Sequence, residues 1–75
     1  MESFVVIGLG RFGMTLAREL YRLGHEVLAV DKDEEAVHRV SDSVSHAITA
    51  DARDEQVLKS IGVRNFDHAV VAFAD

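Results

Sequence analysis

Gly8-Leu9-Gly10-Arg11-Phe12-Gly13 is the stretch that decides the fold. On its amino side lies Ser3-Phe4-Val5-Val6-Ile7, a β-branched apolar run too short for a helix. Its continuous apolarity, without alternation, predicts a strand covered on both faces, as in a parallel sheet. On its carboxyl side the period changes. Gly13, Leu16, Ala17, Leu20 and Leu23 fall at helical spacing, with Arg18, Glu19 and Arg22 opposite them. The glycine pattern alone is a weak signal. Placed between a strand and a helix, it gains a mechanism. Gly8 permits a tight turn, Gly10 lets the backbone approach a pyrophosphate, and Gly13 lets the helix pack close to the strand. The helix start then offers unpaired N–H groups and a positive dipole end to phosphate. The competing reading is a helix-capping turn with no ligand.

Gly24 sits where a helix-ending glycine belongs, and Glu26-Val27-Leu28-Ala29-Val30 forms the second strand, ended by Asp31. An acid about twenty residues past the loop is where a dinucleotide fold places its ribose ligand. The Asp31 carboxylate can accept hydrogen bonds from ribose hydroxyls and repels a 2′-phosphate. This favours NAD or a plain adenine nucleotide and disfavours NADP. Its bland reading is a solvated loop acid. Arg11, inside the loop, can fork onto terminal phosphate oxygens. Otherwise it is a surface arginine, slightly misplaced at a positive helix end. Phe12 reads as core or as a lid over the loop.

Asp33 is a candidate N-cap for a short helix, with Glu34 and Glu35 in its first turn and Val37 and Val40 facing inward. His46–Ala50 reads as a third strand whose polar content suits a sheet edge. A helix over Asp54–Ile61 buries Val57, Leu58 and Ile61, with Gly62 just past its end. After a turn at 64–67, His68–Phe73 forms a fourth strand. The order is βαβαβαβ. The connections are too long for hairpins, so the strands are parallel, with right-handed crossovers. The expected fold is a Rossmann-like open α/β sheet in order 3-2-1-4, in a single domain over residues 1–75. In such a sheet the ligand sits beyond the carboxyl ends of the strands. Asp51, ending the third strand, can meet the exocyclic amine of adenine while the Ala52 N–H meets a ring nitrogen. Alternatively, Asp51 caps the helix that begins near Asp54. Arg53 reads as solvated.

Composition narrows the function. Seventy-five residues make at most one small domain, with little chain left to hold a substrate. The net charge of −5 argues against nucleic acid. There is no Cys, and the four His are scattered without zinc-site spacing. No run approaches the ~20 apolar residues of a membrane span, and Met1-Glu2-Ser3 lacks a basic secretory start, which points to a cytoplasmic chain. Ser41, Ser43, Ser45 and Ser60 occupy no nucleophile elbow, so no catalytic residue is assigned.

Three runs carry a further resemblance: FVVIGLGRFG, LGHEVLAVDKDEE and ITADARDEQVLKSIGVRNFDHAVVAF. Together they resemble the N-terminal part of the RCK/KTN (TrkA-N type) domain, the cytosolic nucleotide-sensing domain of Trk- and Ktr-type potassium uptake systems and some potassium channels. The resemblance implies a fold that binds NAD(H), ATP or ADP and gates ion flux through a membrane partner without chemistry. It places Gly8, Gly10 and Gly13 in the phosphate turn, Arg11 on phosphate and Asp31 on ribose. Lys32 would lie beside the adenosine, with Asp51, Ala52 and Arg53 in the adenine-side loop. It also implies homodimers assembled into rings. The family domain continues past the point where this chain stops, at Asp75. The apolar Ala69–Ala74 strand is therefore expected to self-associate as an exposed edge. The alternative is the cofactor half of an NAD-dependent dehydrogenase.

Overall fold

In the computed structural model, which describes residues 1–73, the chain alternates strand and helix as its periodicity dictates. Strands β1 (Ser3–Ile7), β2 (Glu26–Asp31), β3 (His46–Thr49) and β4 (His68–Val71) alternate with helices α1 (Arg11–Arg22), α2 (Glu34–Val40) and α3 (Glu55–Ile61). Short 3₁₀ turns at Ser41–Ser43 and Val63–Asn65 follow α2 and α3. All strand pairs are parallel, and the order is β3-β2-β1-β4. Val5 pairs with Leu28 on one side and Ala69 on the other.

Side chains of a strand alternate between faces, and here both faces are covered. Val6, Val27 and Ala29 pack with Ala17 of α1 and Ala36, Val37 and Val40 of α2. Val5, Ile7, Leu28 and Val30 pack with Leu58 and Ile61 of α3, and with Val63 and Phe66. Val5, Val6, Val27 and Val30 are fully buried. Each such side chain contributes about 1.5–3 kcal/mol relative to exposure. Helices α1 and α2 therefore lie on one face and α3 on the other. The chain reverses direction across the sheet between β1 and β4, and this opens a crevice at their carboxyl ends.

Helix α1 ends at Arg22, one residue before Leu23, and β3 at Thr49, one before Ala50; three further boundaries also differ from expectation. Asp31 lies inside β2, because its backbone carbonyl still accepts from Ala50 N–H at 3.0 Å. Helix α3 starts one residue later, with Asp54 as its N-cap. Strand β4 ends at Val71, not Phe73. Ala72 N–H still donates to the Ile7 carbonyl at 2.7 Å, after which the backbone turns to set Phe73 over Gly8. Ala74, the expected end of the apolar edge, lies outside the described residues.

Candidate functional site

At the carboxyl end of the sheet the loop after β1 is held from beneath. Gly8 N–H donates to the Val30 carbonyl at 2.8 Å. Gly8 has φ +99°, and a Cβ there would fall 2.6 Å from the Phe73 backbone nitrogen. A Cβ on Gly13 would fall 1.8 Å from the Gly8 carbonyl oxygen. Both residues are glycine because neighbouring backbone fills the space a side chain needs. Gly10 differs. Its φ is −73°, and nothing lies within 4 Å of the Cβ it lacks.

Gly10 is also the N-cap of α1, with no side-chain cap and no acid in the first turn. The other two helices are capped. Asp33 accepts from Glu35 N–H at 3.0 Å, and Asp54 accepts from Gln56 N–H at 2.9 Å. Their first turns also carry Glu34 and Glu35, and Glu55. The start of α1 thus presents backbone donors that no side chain satisfies.

Asp31 is not the solvated loop acid of the bland reading. It is half-buried. Its Oδ2 accepts from Leu9 N–H at 2.6 Å and its Oδ1 from Asp33 N–H at 2.8 Å. The carboxylate ties the glycine loop to the end of β2. Sequence reasoning missed this second duty, because the bond to Leu9 spans 22 positions. Each oxygen keeps spare acceptor capacity.

Asp51 does not cap α3; Asp54 does. Instead Asp51 Oδ1 accepts from the Arg53 backbone N–H at 3.0 Å and from Nε at 3.1 Å, while Oδ2 accepts from Nη2 at 3.0 Å. The Arg53 guanidinium, and then its backbone N–H, hold the Asp51 carboxyl at about 2, with Lys32 adding a smaller pull. Arg53 is exposed, in keeping with its reading as solvated, and is also paired with Asp51.

These groups converge. A cleft of about 310 Å³ is lined by Gly8, Asp31, Lys32, Asp51, Ala52 and Arg53, together with Ile7, Val30, Ala50 and Phe73. That is the lower end of the size range of small-molecule sites, roughly 300–1,000 Å³. Six of the ten residues expected at a ligand line this cleft. Gly10, Arg11, Phe12 and Gly13 sit beside it, at the start of α1. Phe12 is not core, since its side chain stands 65% exposed. Arg11 is exposed and makes no ion pair among the described residues. Phe73 was missed. The signal for it was available, since it directly follows the strand that flanks the crevice. A second groove, of about 830 Å³ at the opposite end of the sheet, is more open. Its arginines are engaged within the chain, Arg22 with Glu19 and Arg18 with the Arg39 carbonyl.

The arrangement can be set beside known proteins. Residues 4–75 match the family model described as the TrkA-N domain. The chain belongs to the TrkA-N domain family. Its TrkA-N sequence is 51% identical over 71 residues to Ktr system potassium uptake protein A of Bacillus subtilis (strain 168), covering 95% of this chain and 32% of that protein. It is 47% identical over 74 residues to Ktr system potassium uptake protein C of the same organism, covering 99% and 34%. The chain thus spans about a third of the length of these relatives. Among solved structures, it resembles the NAD(P)-binding domain of an exopolyphosphatase-related protein from Archaeoglobus fulgidus. That match has a TM-score of 0.87 and 32% identity, and covers 100% of this chain and 56% of the other. The Rossmann-like fold expected from the sequence is the fold found. Among the described residues, no helix is long and apolar enough to cross a membrane.

Proposed function

We propose that this TrkA-N domain is a regulatory module that binds an adenine nucleotide, NAD(H) or ATP/ADP, and through it regulates a potassium-transporting membrane partner without performing chemistry. The observation that carries the ligand is Gly10. Its backbone dihedrals suit any residue, and among the described residues no atom needs the space its missing Cβ leaves. It also caps the one helix of the three with no side-chain cap. A phosphate seated there accounts for both facts: the backbone must come close, and the donors must stay open.

The remaining roles follow the cleft. Phosphate lies on the α1 start with Arg11 at hand, ribose hydroxyls on Asp31, adenosine beside Lys32, and the base against Asp51 and Ala52. Phe12 stands outside the cleft, at the edge of the phosphate position. A 2′-phosphate would meet the Asp31 charge, so NADPH is expected to bind more weakly than NADH. The transport role is supported by the names of the two Bacillus subtilis relatives, both potassium uptake proteins. A cytoplasmic location beneath the membrane belongs to the same reading. So does homo-oligomerisation, which the resemblance to the family implies. A ligand regulates only by binding two states differently. Arg11, free at the phosphate position, is the group that distinguishes a triphosphate from a diphosphate.

Calorimetric titration with ATP, ADP, AMP, NADH and NADPH tests the reading, with Asp31→Ala as control. At least one adenine nucleotide is expected to bind, and the control to lose about tenfold or more in affinity, the equivalent of one charged hydrogen bond. Binding that ignores Asp31 would remove the ribose assignment. Hydride transfer by the chain would overturn the whole reading.

A further inference from the structure

We propose that Arg53 is a positioning residue that fixes Asp51 as the acceptor for the exocyclic amine of an adenine ring, and so sets which base the cleft takes. The inference rests on the nucleotide reading above and deepens it. Asp51 is gripped three times by one residue, through the Arg53 backbone N–H, Nε and Nη2. Oδ1 accepts two of these bonds and Oδ2 one. A carboxylate oxygen accepts two, so one acceptor position on Oδ2 remains. Both residues line the cleft, whose other charged lining residues are Lys32 and Asp31.

The grip has two consequences for a base. Asp51 presents an acceptor at a fixed angle and stays ionised, which suits an amino group. The Nε–Nη2 edge of Arg53 is engaged by Asp51, so a base placed there meets the carboxylate in place of that edge. A base with oxygen in place of the amine then brings its lone pairs against a carboxylate. Adenine is accepted; hypoxanthine and guanine are rejected. The competing structural role is a local one, since the Asp51 carboxylate also accepts the Arg53 backbone N–H in the turn before α3. The side chains are 65% and 45% exposed, and ion pairs at such positions contribute little to folding. Substitution of the Arg53 side chain should therefore leave the fold intact and report on recognition.

The test compares adenosine diphosphate with inosine diphosphate, which differs only in the six-position group and its ring proton. Calorimetry is run on the wild type, Arg53→Gln, Arg53→Lys and Asp51→Ala. The wild type should prefer the adenine nucleotide by about tenfold or more. Arg53→Gln should cut that preference to about threefold or less, and Arg53→Lys, which keeps the charge but not the fork, should restore only part of it. Asp51→Ala releases the fork to donate to the six-oxo group and should invert the preference. The Asp51 carboxyl, followed by carbon NMR, should rise in Arg53→Gln toward the ordinary value near about 4. An unchanged preference in Arg53→Gln, with adenosine diphosphate still bound, overturns the role of Arg53 alone. A wild type that binds adenosine diphosphate without preferring it to inosine diphosphate overturns this inference alone, whereas no binding of any adenine nucleotide in the panel above overturns the nucleotide reading and this inference with it.

Discussion

At the amino end of the sheet, side chains from neighbouring strand starts bond to one another. At the carboxyl end, they point into a cleft. The Phe4 ring stacks on His68 at 4.7 Å and meets His25 edge-on at 5.2 Å. Glu2 reaches His68 through its carboxylate and His25 through its backbone N–H. Asp67 accepts from Ser3 N–H at 2.8 Å and from the Ser3 hydroxyl at 3.2 Å, while Asp67 N–H donates back to that hydroxyl at 3.0 Å. These bonds set the register of β1 against β4. At the other end Asp31 and Asp51 are also hydrogen-bonded, but each keeps spare acceptor capacity while lining the cleft, and the start of α1 keeps open donors. One end spends its polar groups on alignment. The other uses part of them to hold a loop in shape and leaves the rest for a guest.

Four substitutions or comparisons sharpen this contrast, ranked by their expected effect on thermal stability. The largest belongs to Gly13→Ala. Its Cβ would lie 1.8 Å from the Gly8 carbonyl oxygen, and both partners are backbone. Helix α1 must move off the loop, disturbing the packing of Ala17 against Val6. A cost of about 3–5 kcal/mol is expected, in the range of severe core overpacking. Chemical denaturation measures it. A loss below about 1 kcal/mol would mean that the loop and helix are not locked as described.

Asp31→Ala comes next. Leu9 N–H loses its partner in a half-buried setting, and about 1–3 kcal/mol is expected from the unpaired donor. This separates the two duties of Asp31. Asp31→Asn keeps an acceptor for one backbone N–H and should recover part of the stability, while offering ribose a weaker partner. Equal stability of the wild type and both variants would show that the clamp on the loop is not a stabilising one.

The fold was legible because its signals are local. A strand, a glycine loop and an amphipathic helix each announce themselves within a dozen residues, and their alternation leaves few topologies. Asp33 was read correctly as a cap because capping is a short-range bond. The candidate site was legible only where one residue has one role. Asp31 was expected at a ribose, but its bond to Leu9 joins segments that sequence spacing does not relate. Asp51 and Arg53 are two positions apart, yet a carboxylate there can cap a helix or chelate an arginine, and only geometry decides. Phe73 entered the cleft because β4 ends two residues early, and strand ends are poorly marked in an apolar run.

The amino end supplies a smaller, pH-dependent effect. Ser3 N–H, then its hydroxyl, holds the Asp67 carboxyl below its usual value. A depressed folded-state value means that the ionised form stabilises the fold above the unfolded value, near about 3.9. That contribution fades as pH falls through the lower folded-state value. The stability gap between the wild type and Asp67→Ala should therefore be constant from neutral pH to about 5 and close below about 4. Thermal midpoints measured across this range check it. A gap that instead widens in acid would mean that the Ser3–Asp67 bonds do not depend on the carboxylate charge.

The smallest expected effect on stability is the most telling about function. Gly10→Ala adds a methyl where nothing lies within 4 Å, at a φ of −73° that alanine adopts freely. Alanine caps a helix only a few tenths to about 1 kcal/mol worse than glycine, and its unfolded chain has less freedom to lose, so the two effects largely offset. The melting midpoint should barely move. Nucleotide affinity should fall by about tenfold or more, because the methyl occupies the approach of the phosphate to the α1 start. Gly13→Ala loses the fold and the ligand together; Gly10→Ala should lose only the ligand. If Gly10→Ala instead melts early, the glycine serves the chain's own packing, and the reason for placing a phosphate there is gone. If it neither melts early nor loses affinity, the phosphate sits elsewhere in the cleft, nearer Lys32.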